Sequence, residues 1–213
     1  MPSMILQTFV AITGLMGCLM SFVLFFLKKS YPASIKGLGD WSVFPVLAFL
    51  ASALYGMQGQ WHHLVSMALP NLLVVLTLVT QLRGTYQHFG KPINTKLIQA
   101  LVVIALLLIL WTSGKSEYFV HRLVSISGLT AILLGVQVKV LWAHRKGSFA
   151  AHFMLITLVT MCAVMAMRTI TGLLDPPAYG IFSYSPLQAI YLASFAFGVL
   201  LLGISAILLS AEQ

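Results

Sequence analysis

Two arginines stand inside long apolar stretches of the sequence, where a charged side chain needs compensation. Arg122 lies near the start of one such stretch, and Arg168 lies within the segment MAMRTITGLLD near the end of the next. A guanidinium group binds a carboxylate or a phosphate through two parallel hydrogen bonds. Two arginines at one end of a helical bundle therefore favour a pocket that binds an anionic or carbonyl-rich small molecule.

Further polar residues fall near the same ends of the apolar stretches. They are Asn71, Ser125, Gln188, His121 and His63. We predict that Arg122 and Arg168 hold the ligand and that the asparagine, the serine and the glutamine assist them. The two histidines are predicted to lie at the rim of the pocket.

An alternative compensates both arginines within the chain itself. Glu117 and Asp175 are the carboxylates expected on the same side of the bundle. If Arg122 and Arg168 pair with them and with backbone carbonyls, the arginines are structural and no ligand is required.

The histidines permit a second alternative, a haem-binding redox protein. His62 and His63 begin the third apolar stretch and His121 begins the fifth, and two axial imidazoles from different helices can hold a b-type haem. Arg122 and Arg168 would then bind the propionates. The preferred pocket requires no cofactor and no metal, and haem b belongs only to this alternative.

A third alternative is a small membrane transporter, although neither paired repeats nor facing broken helices are visible in the sequence. The HExxH pattern, paired intramembrane carboxylates and a nucleophile–base set are also missing. We therefore expect no enzymatic activity from this chain alone.

The composition indicates which elements position these residues. Sixty per cent of the 213 residues are hydrophobic and 8 per cent are charged, whereas soluble domains average about 25 per cent charged residues. The sequence predicts a single all-α domain over residues 1–213, an integral membrane bundle of seven transmembrane helices. The predicted spans are 4–27, 42–60, 64–82, 97–113, 119–142, 150–173 and 186–209.

The positive charges predict the orientation of the bundle. Basic residues cluster after the first, third and fifth spans: Lys28, Lys29, Lys36, Arg83, Lys91, Lys96, Arg145 and Lys146. Since such residues concentrate in cytoplasmic loops, the N-terminus is predicted outside and the C-terminus in the cytoplasm. The net charge of +8 is then a topology signal, with the lipid bilayer as partner, and no nucleic acid is expected.

The segment SYPASIKGLGDW, residues 30–41, resembles the loop after the first helix in the N-terminal sensor modules of bacterial membrane-bound GGDEF diguanylate cyclases. The matching positions are Tyr31, Pro32, Ser34, Ile35, Gly37, Leu38, Gly39 and Trp41. The resemblance continues along the chain through Asn71, Arg83, Phe89-Gly90, Arg122, Arg168 and Pro186-Leu187-Gln188.

The resemblance implies a seven-helix sensory module in the bacterial inner membrane, acting as a homodimer in cyclic di-GMP signalling. In such proteins the seventh helix leads through a short coiled coil into a cytoplasmic domain that makes cyclic di-GMP from two GTP molecules. The GGDEF signature does not occur in these 213 residues. We therefore expect such a catalytic domain after Gln213, with the present chain supplying the signal.

Overall fold

The computed structural model describes residues 2–32, 35–57, 62–113, 118–175 and 186–212. Within these ranges the chain is all-helical and contains no strand. The helices are α1 (Pro2–Ser30), α2 (Leu38–Gly56), α3 (His63–His88), α4 (Thr95–Ser113), α5 (Phe119–His144), α6 (Phe149–Leu174) and α7 (Pro186–Ala211).

All seven helices are long and apolar enough to cross a membrane, whose hydrocarbon core needs about 20 helical residues. Large apolar side chains also cover the outside of the bundle, among them Phe22, Leu107 and Ile156, each at least 60 % exposed. A soluble monomer rarely presents apolar surface on this scale. The fold therefore supports a multi-pass membrane protein.

The helix bounds differ most from the sequence prediction at α2. This helix occupies Leu38–Gly56, whereas the hydropathy pattern predicts 42–60. The reason is Gly37, which precedes the helix with φ = 88°, a left-handed conformation that glycine adopts at little cost. The chain turns there and enters the helix before the strongly apolar residues begin.

Six helices form a closed ring in the order α1, α2, α3, α5, α6 and α7, and α7 packs back against α1. The fourth helix, α4, lies outside this ring and contacts α3 and α5. The core between the helices is filled by large side chains that are almost fully buried, among them Phe44, Leu133, Met154 and Leu209. Pro45 and Pro70 lie inside α2 and α3 without ending either helix.

The two ends of the bundle are named here after two aromatic residues of α2. The Trp41 end holds the first turns of α2, α4 and α6 and the last turns of α1, α3, α5 and α7. The Tyr55 end holds the last turns of α2, α4 and α6 and the first turns of α3, α5 and α7. Arg122, on α5, and Arg168, on α6, both belong to the Tyr55 end.

The Trp41 end is closely packed. A Cβ atom added to Gly84 of α3 would lie 2.4 Å from the Trp41 ring, and one added to Gly37 would lie 2.3 Å from the Gly84 carbonyl oxygen. The indole is fully buried, and its centroid lies 5.0 Å from that of the His88 ring. The two glycines thus allow α2 and α3 to meet at this end.

Candidate functional site

A small, partly open cavity of about 50 Å³ lies inside the Tyr55 end. Side chains from five helices line it: Tyr55 from α2, Met67 and Asn71 from α3, Phe119, Arg122, Leu123, Ile126 and Ser127 from α5, Arg168 from α6 and Tyr191 from α7. This volume admits one or two water molecules, each of which occupies about 30 Å³ in the liquid, or a carboxylate-sized group. Both predicted arginines therefore face one shared space.

Arg122 is held in place by neutral groups. Its side chain is only 6 % exposed, and its Nη1 donates a hydrogen bond of 2.8 Å to the carbonyl oxygen of Thr112 in the last turn of α4. Nη2 approaches the sulfur of Met67 at 3.7 Å, and the Phe119 ring lies 5.7 Å from the guanidinium carbon. None of these contacts neutralises the charge.

Arg168 joins α6 to α7. Its guanidinium carbon lies 3.3 Å from the centroid of the Tyr191 ring, and Nη2 donates a hydrogen bond of 3.0 Å to Oε1 of Gln188. Its Nε is buried and has no hydrogen-bond partner among the described residues. A buried N–H without an acceptor costs about 1–3 kcal/mol. A ligand atom that accepts a hydrogen bond from this Nε would remove that cost.

A tyrosine–asparagine pair forms another part of the cavity wall. The Tyr55 hydroxyl donates to Oδ1 of Asn71 at 2.7 Å, and Nδ2 of Asn71 donates to the carbonyl oxygen of Met67 at 2.6 Å. These bonds fix the Asn71 amide, so its orientation does not depend on a ligand. They also connect the last turn of α2 to the second turn of α3.

The carboxylates that the structure describes leave both arginines unpaired. They are Asp40, Asp175 and Glu212, and none forms an ion pair with Arg122 or Arg168. Asp175 is exposed at the end of α6, and Glu117 lies outside the described residues. Of the structural alternative, the described ranges therefore contain the bond from Arg122 to a backbone carbonyl and no ion pair with Asp175, and a pair with Glu117 stays a prediction.

The structure assigns the other predicted site residues to different surroundings. Asn71 lines the cavity, and Gln188 is buried beside it as the hydrogen-bond partner of Arg168. Ser125 is not among the described residues that line the cavity, whereas Ser127 is. A ligand contact of Ser125 therefore stays a prediction that the cavity lining does not support.

His121 stands apart from the cavity. His121 is exposed and its ring lies 5.9 Å from that of Tyr118 and 6.3 Å from that of Trp111, on the outer surface of α5 and α4. The side chain of His63 lies outside the described residues. The described part of the chain contains no cluster of three or more metal-ligating residues, and no contact there brings His121 toward a second histidine.

Tyr55 and Tyr191 line the cavity but were not predicted from the sequence to belong to the site. Both lie within a few residues of a helix end, where tyrosine is also typical of a membrane interface, so their type and position gave no separate signal. The structure places the Tyr191 ring against Arg168 and the Tyr55 hydroxyl on Asn71. The cavity therefore presents two guanidinium groups in a wall that otherwise carries neutral polar, aromatic and apolar side chains, an arrangement suited to binding an anion.

No protein-family model, curated protein or solved structure matches this chain. The resemblance of residues 30–41 to sensor modules of diguanylate cyclases thus stays a prediction. The candidate site rests on the geometry of its own side chains.

Proposed function

We propose that the chain is a transmembrane sensory module whose cavity binds an anionic or carbonyl-rich small molecule through Arg122 and Arg168. The observation that carries this proposal is the pair of guanidinium groups lining one cavity, with no described carboxylate bound to either. A charge inside a membrane protein is expensive and usually marks a functional site. A bound anion would supply the compensation that the described residues lack.

The positive-inside distribution supports an outward-facing site. With the basic residues after α1, α3 and α5 in the cytoplasm, the Tyr55 end faces the periplasm of a bacterial inner membrane. The ligand would reach the cavity from that side or from the outer leaflet.

Contacts at both ends of α7 support a role for this helix in signalling. At the Tyr55 end, Gln188 and Tyr191 bind Arg168. At the Trp41 end, the Glu212 carboxylate accepts hydrogen bonds from the Ser148 hydroxyl and from the backbone N–H of Ala150, at the start of α6. A ligand that binds Arg168 competes with Gln188 and Tyr191, so it would favour a different packing of α7 against α6.

The proposed receiver of this change is a cytoplasmic GGDEF diguanylate cyclase domain joined to the end of α7. The loop motif of residues 30–41 supports this assignment by resemblance, and the same resemblance supports a homodimer in which two α7 helices approach each other. The gene sequence beyond the codon for Gln213 tests it. A reading frame that encodes a GGDEF domain is expected, and a stop codon at that position contradicts the relay.

The cavity itself is tested by the thermal stability of the purified chain in a non-ionic detergent, measured with increasing acetate, chloride and sulfate. Binding to the folded state raises the unfolding temperature with ligand concentration. We expect at least one anion to do so in the wild type, and the increase to be lost in Arg122→Gln and in Arg168→Gln.

The matched control is Arg83→Gln. Arg83 is about half exposed and lies 3.6 Å from Asp40 at the opposite end, so its replacement removes one positive charge without touching the cavity. An anion response that is equal in all three variants would show that the anions act on the general charge of the protein and would contradict the proposal.

A further inference from the structure

A second space adjoins the arginine cavity between α6 and α7. It has a volume of about 240 Å³ and shares three lining residues with the cavity, namely Leu123, Arg168 and Tyr191. Its other lining residues are mostly apolar, namely Val164, Met167, Gly172, Leu187 and Ile190. The polar ones are Thr171, Asp175 and Gln188, at the Tyr55 end. Arg168 therefore separates a polar chamber from a largely apolar one and faces both.

The apolar space continues along the outside of the bundle. Ile190 also lines a groove of about 400 Å³ between the same two helices, together with Phe153, Ile156, Met161, Ala193, Phe197 and Leu201. From Gln188 to Leu201 the groove follows α7 for about 20 Å at 1.5 Å per residue. We call the two spaces together the α6–α7 groove.

We propose that the ligand is a single-chain amphiphile, a long-chain carboxylate whose head binds Arg168 and Arg122 and whose acyl tail lies in the α6–α7 groove. This inference rests on the proposed function, because it assigns a ligand class to the same arginines. Arg168, Leu123 and Tyr191 line both the cavity and the groove. A head group that binds Arg168 in place of Gln188 would therefore lie next to the groove, where the proposal places its tail.

The size of the cavity favours a carboxylate head. About 50 Å³ accommodates a planar carboxylate, which matches the two parallel N–H groups of a guanidinium. A glycerophosphate head is bulkier and would have to remain at the mouth, where Asp175 contributes a negative charge. The small cavity volume and the negative charge of Asp175 thus both disfavour a phospholipid head.

The groove explains how such a ligand would act on α7. Nine residues of α7, from Leu187 to Leu201, line its two parts. A tail along this face contacts the helix over about half its length, while the head displaces Gln188 from Arg168. Both contacts would change the same α6–α7 interface.

The test is a set of three probes added to the purified chain in a non-ionic detergent. Palmitate carries head and tail, acetate carries the head alone, and methyl palmitate carries the tail without a charge. We expect palmitate to raise the unfolding temperature with an apparent Kd at least about tenfold lower than that of acetate, because the groove immobilises the tail and raises the local concentration of the head. Methyl palmitate is expected to have no effect.

Blocking the groove separates this inference from the proposed function. Ala193→Trp fills the groove on α7 without removing a polar group, so it should abolish the palmitate response and leave the acetate response intact. Ala100→Trp makes the same substitution on an exposed position of α4, away from α6 and α7, and should leave both responses unchanged.

Each outcome decides between the two proposals. Equal responses to palmitate and acetate, both lost in Arg168→Gln, overturn the amphiphile and leave the anion cavity standing. A palmitate response that survives Arg168→Gln, or a larger response to phosphatidylglycerol, also overturns the amphiphile. If neither acetate nor palmitate acts through the arginines, both proposals fail.

Discussion

The two ends of the bundle differ in the surroundings of their positively charged side chains. At the Trp41 end, Arg83 lies 3.6 Å from Asp40, and Gln87 donates to the same carboxylate at 2.8 Å. Three exposed lysines there line an open groove: Lys28, Lys36 and Lys91. At the Tyr55 end, two guanidinium groups lie against neutral groups around a small internal cavity.

The difference supports the proposal that the Tyr55 end binds a ligand. A solvated lysine needs no partner, and Arg83 has one. Arg122 is almost fully buried and Arg168 is half-buried, and no described carboxylate offsets the cost of burying their charge. Under the proposed function, the two arginines are retained for binding at the expense of stability.

The largest expected change in unfolding free energy concerns the closely packed Trp41 end. Gly84→Ala places a Cβ 2.4 Å from the buried Trp41 ring, and overpacking of this kind costs about 1–3 kcal/mol. The unfolding free energy, measured by denaturation in detergent, should fall by that amount. Gly135→Ala is the control, since nothing lies within 4 Å of the added atom. Equal stability of the two variants would contradict the close contact between α2 and α3.

A smaller effect is expected from the wall of the cavity. Tyr55→Phe removes the donor to Oδ1 of Asn71, and a buried acceptor left without its donor costs about 1 kcal/mol. The same measurement on Tyr86→Phe is the control, because the Tyr86 hydroxyl forms no hydrogen bond with another described residue. If both variants lose the same stability, the Tyr55–Asn71 bond does not support the site.

The smallest effect concerns the contact between α7 and α6 at the Trp41 end. Hydrogen bonds from Ser148 and from the Ala150 N–H lower the pKa of Glu212. A depressed carboxyl pKa means that the contact stabilises the fold at neutral pH and that this contribution is lost as the pH falls through the folded-state pKa. Because Glu212 is exposed, the contribution is about 0.5 kcal/mol.

The Glu212 prediction is tested by measuring the unfolding temperatures of the wild type and of Glu212→Gln at several pH values and comparing them. We expect the wild type to be slightly more stable at pH 7 and the two to converge at low pH. A difference that is constant with pH would show that the carboxylate charge plays no part in joining α7 to α6.

The hydropathy pattern was sufficient to predict seven apolar helices, because each stretch is continuous and long enough to span a membrane. It could not fix the rotation of each helix about its own axis, since the helices are apolar on every side. On α5, the cavity face carries Phe119, Arg122, Ile126 and Ser127, which share one side at helical spacing. Ser125 is not among the residues that line the cavity, and the sequence offered no periodic signal to exclude it.

The convergence of Arg122 and Arg168 was predicted from their positions at the same end of neighbouring spans. Tyr191 and Tyr55 were not predicted, because tyrosines near helix ends are typical of the membrane interface whether or not they line a site. Only the packing of α7 between α1 and α6 shows that Tyr191 faces Arg168. The shape of the α6–α7 groove depends on the same packing.

The most direct measurement for the central claim is the unfolding free energy of Arg168→Met, with and without acetate. Methionine fills a similar volume without a charge to desolvate. If the arginine is kept for a ligand, the variant should be as stable as the wild type without anion, or more stable by about 1 kcal/mol, and acetate should no longer stabilise it. A loss of several kcal/mol with an unchanged acetate effect would show that Arg168 is a structural residue.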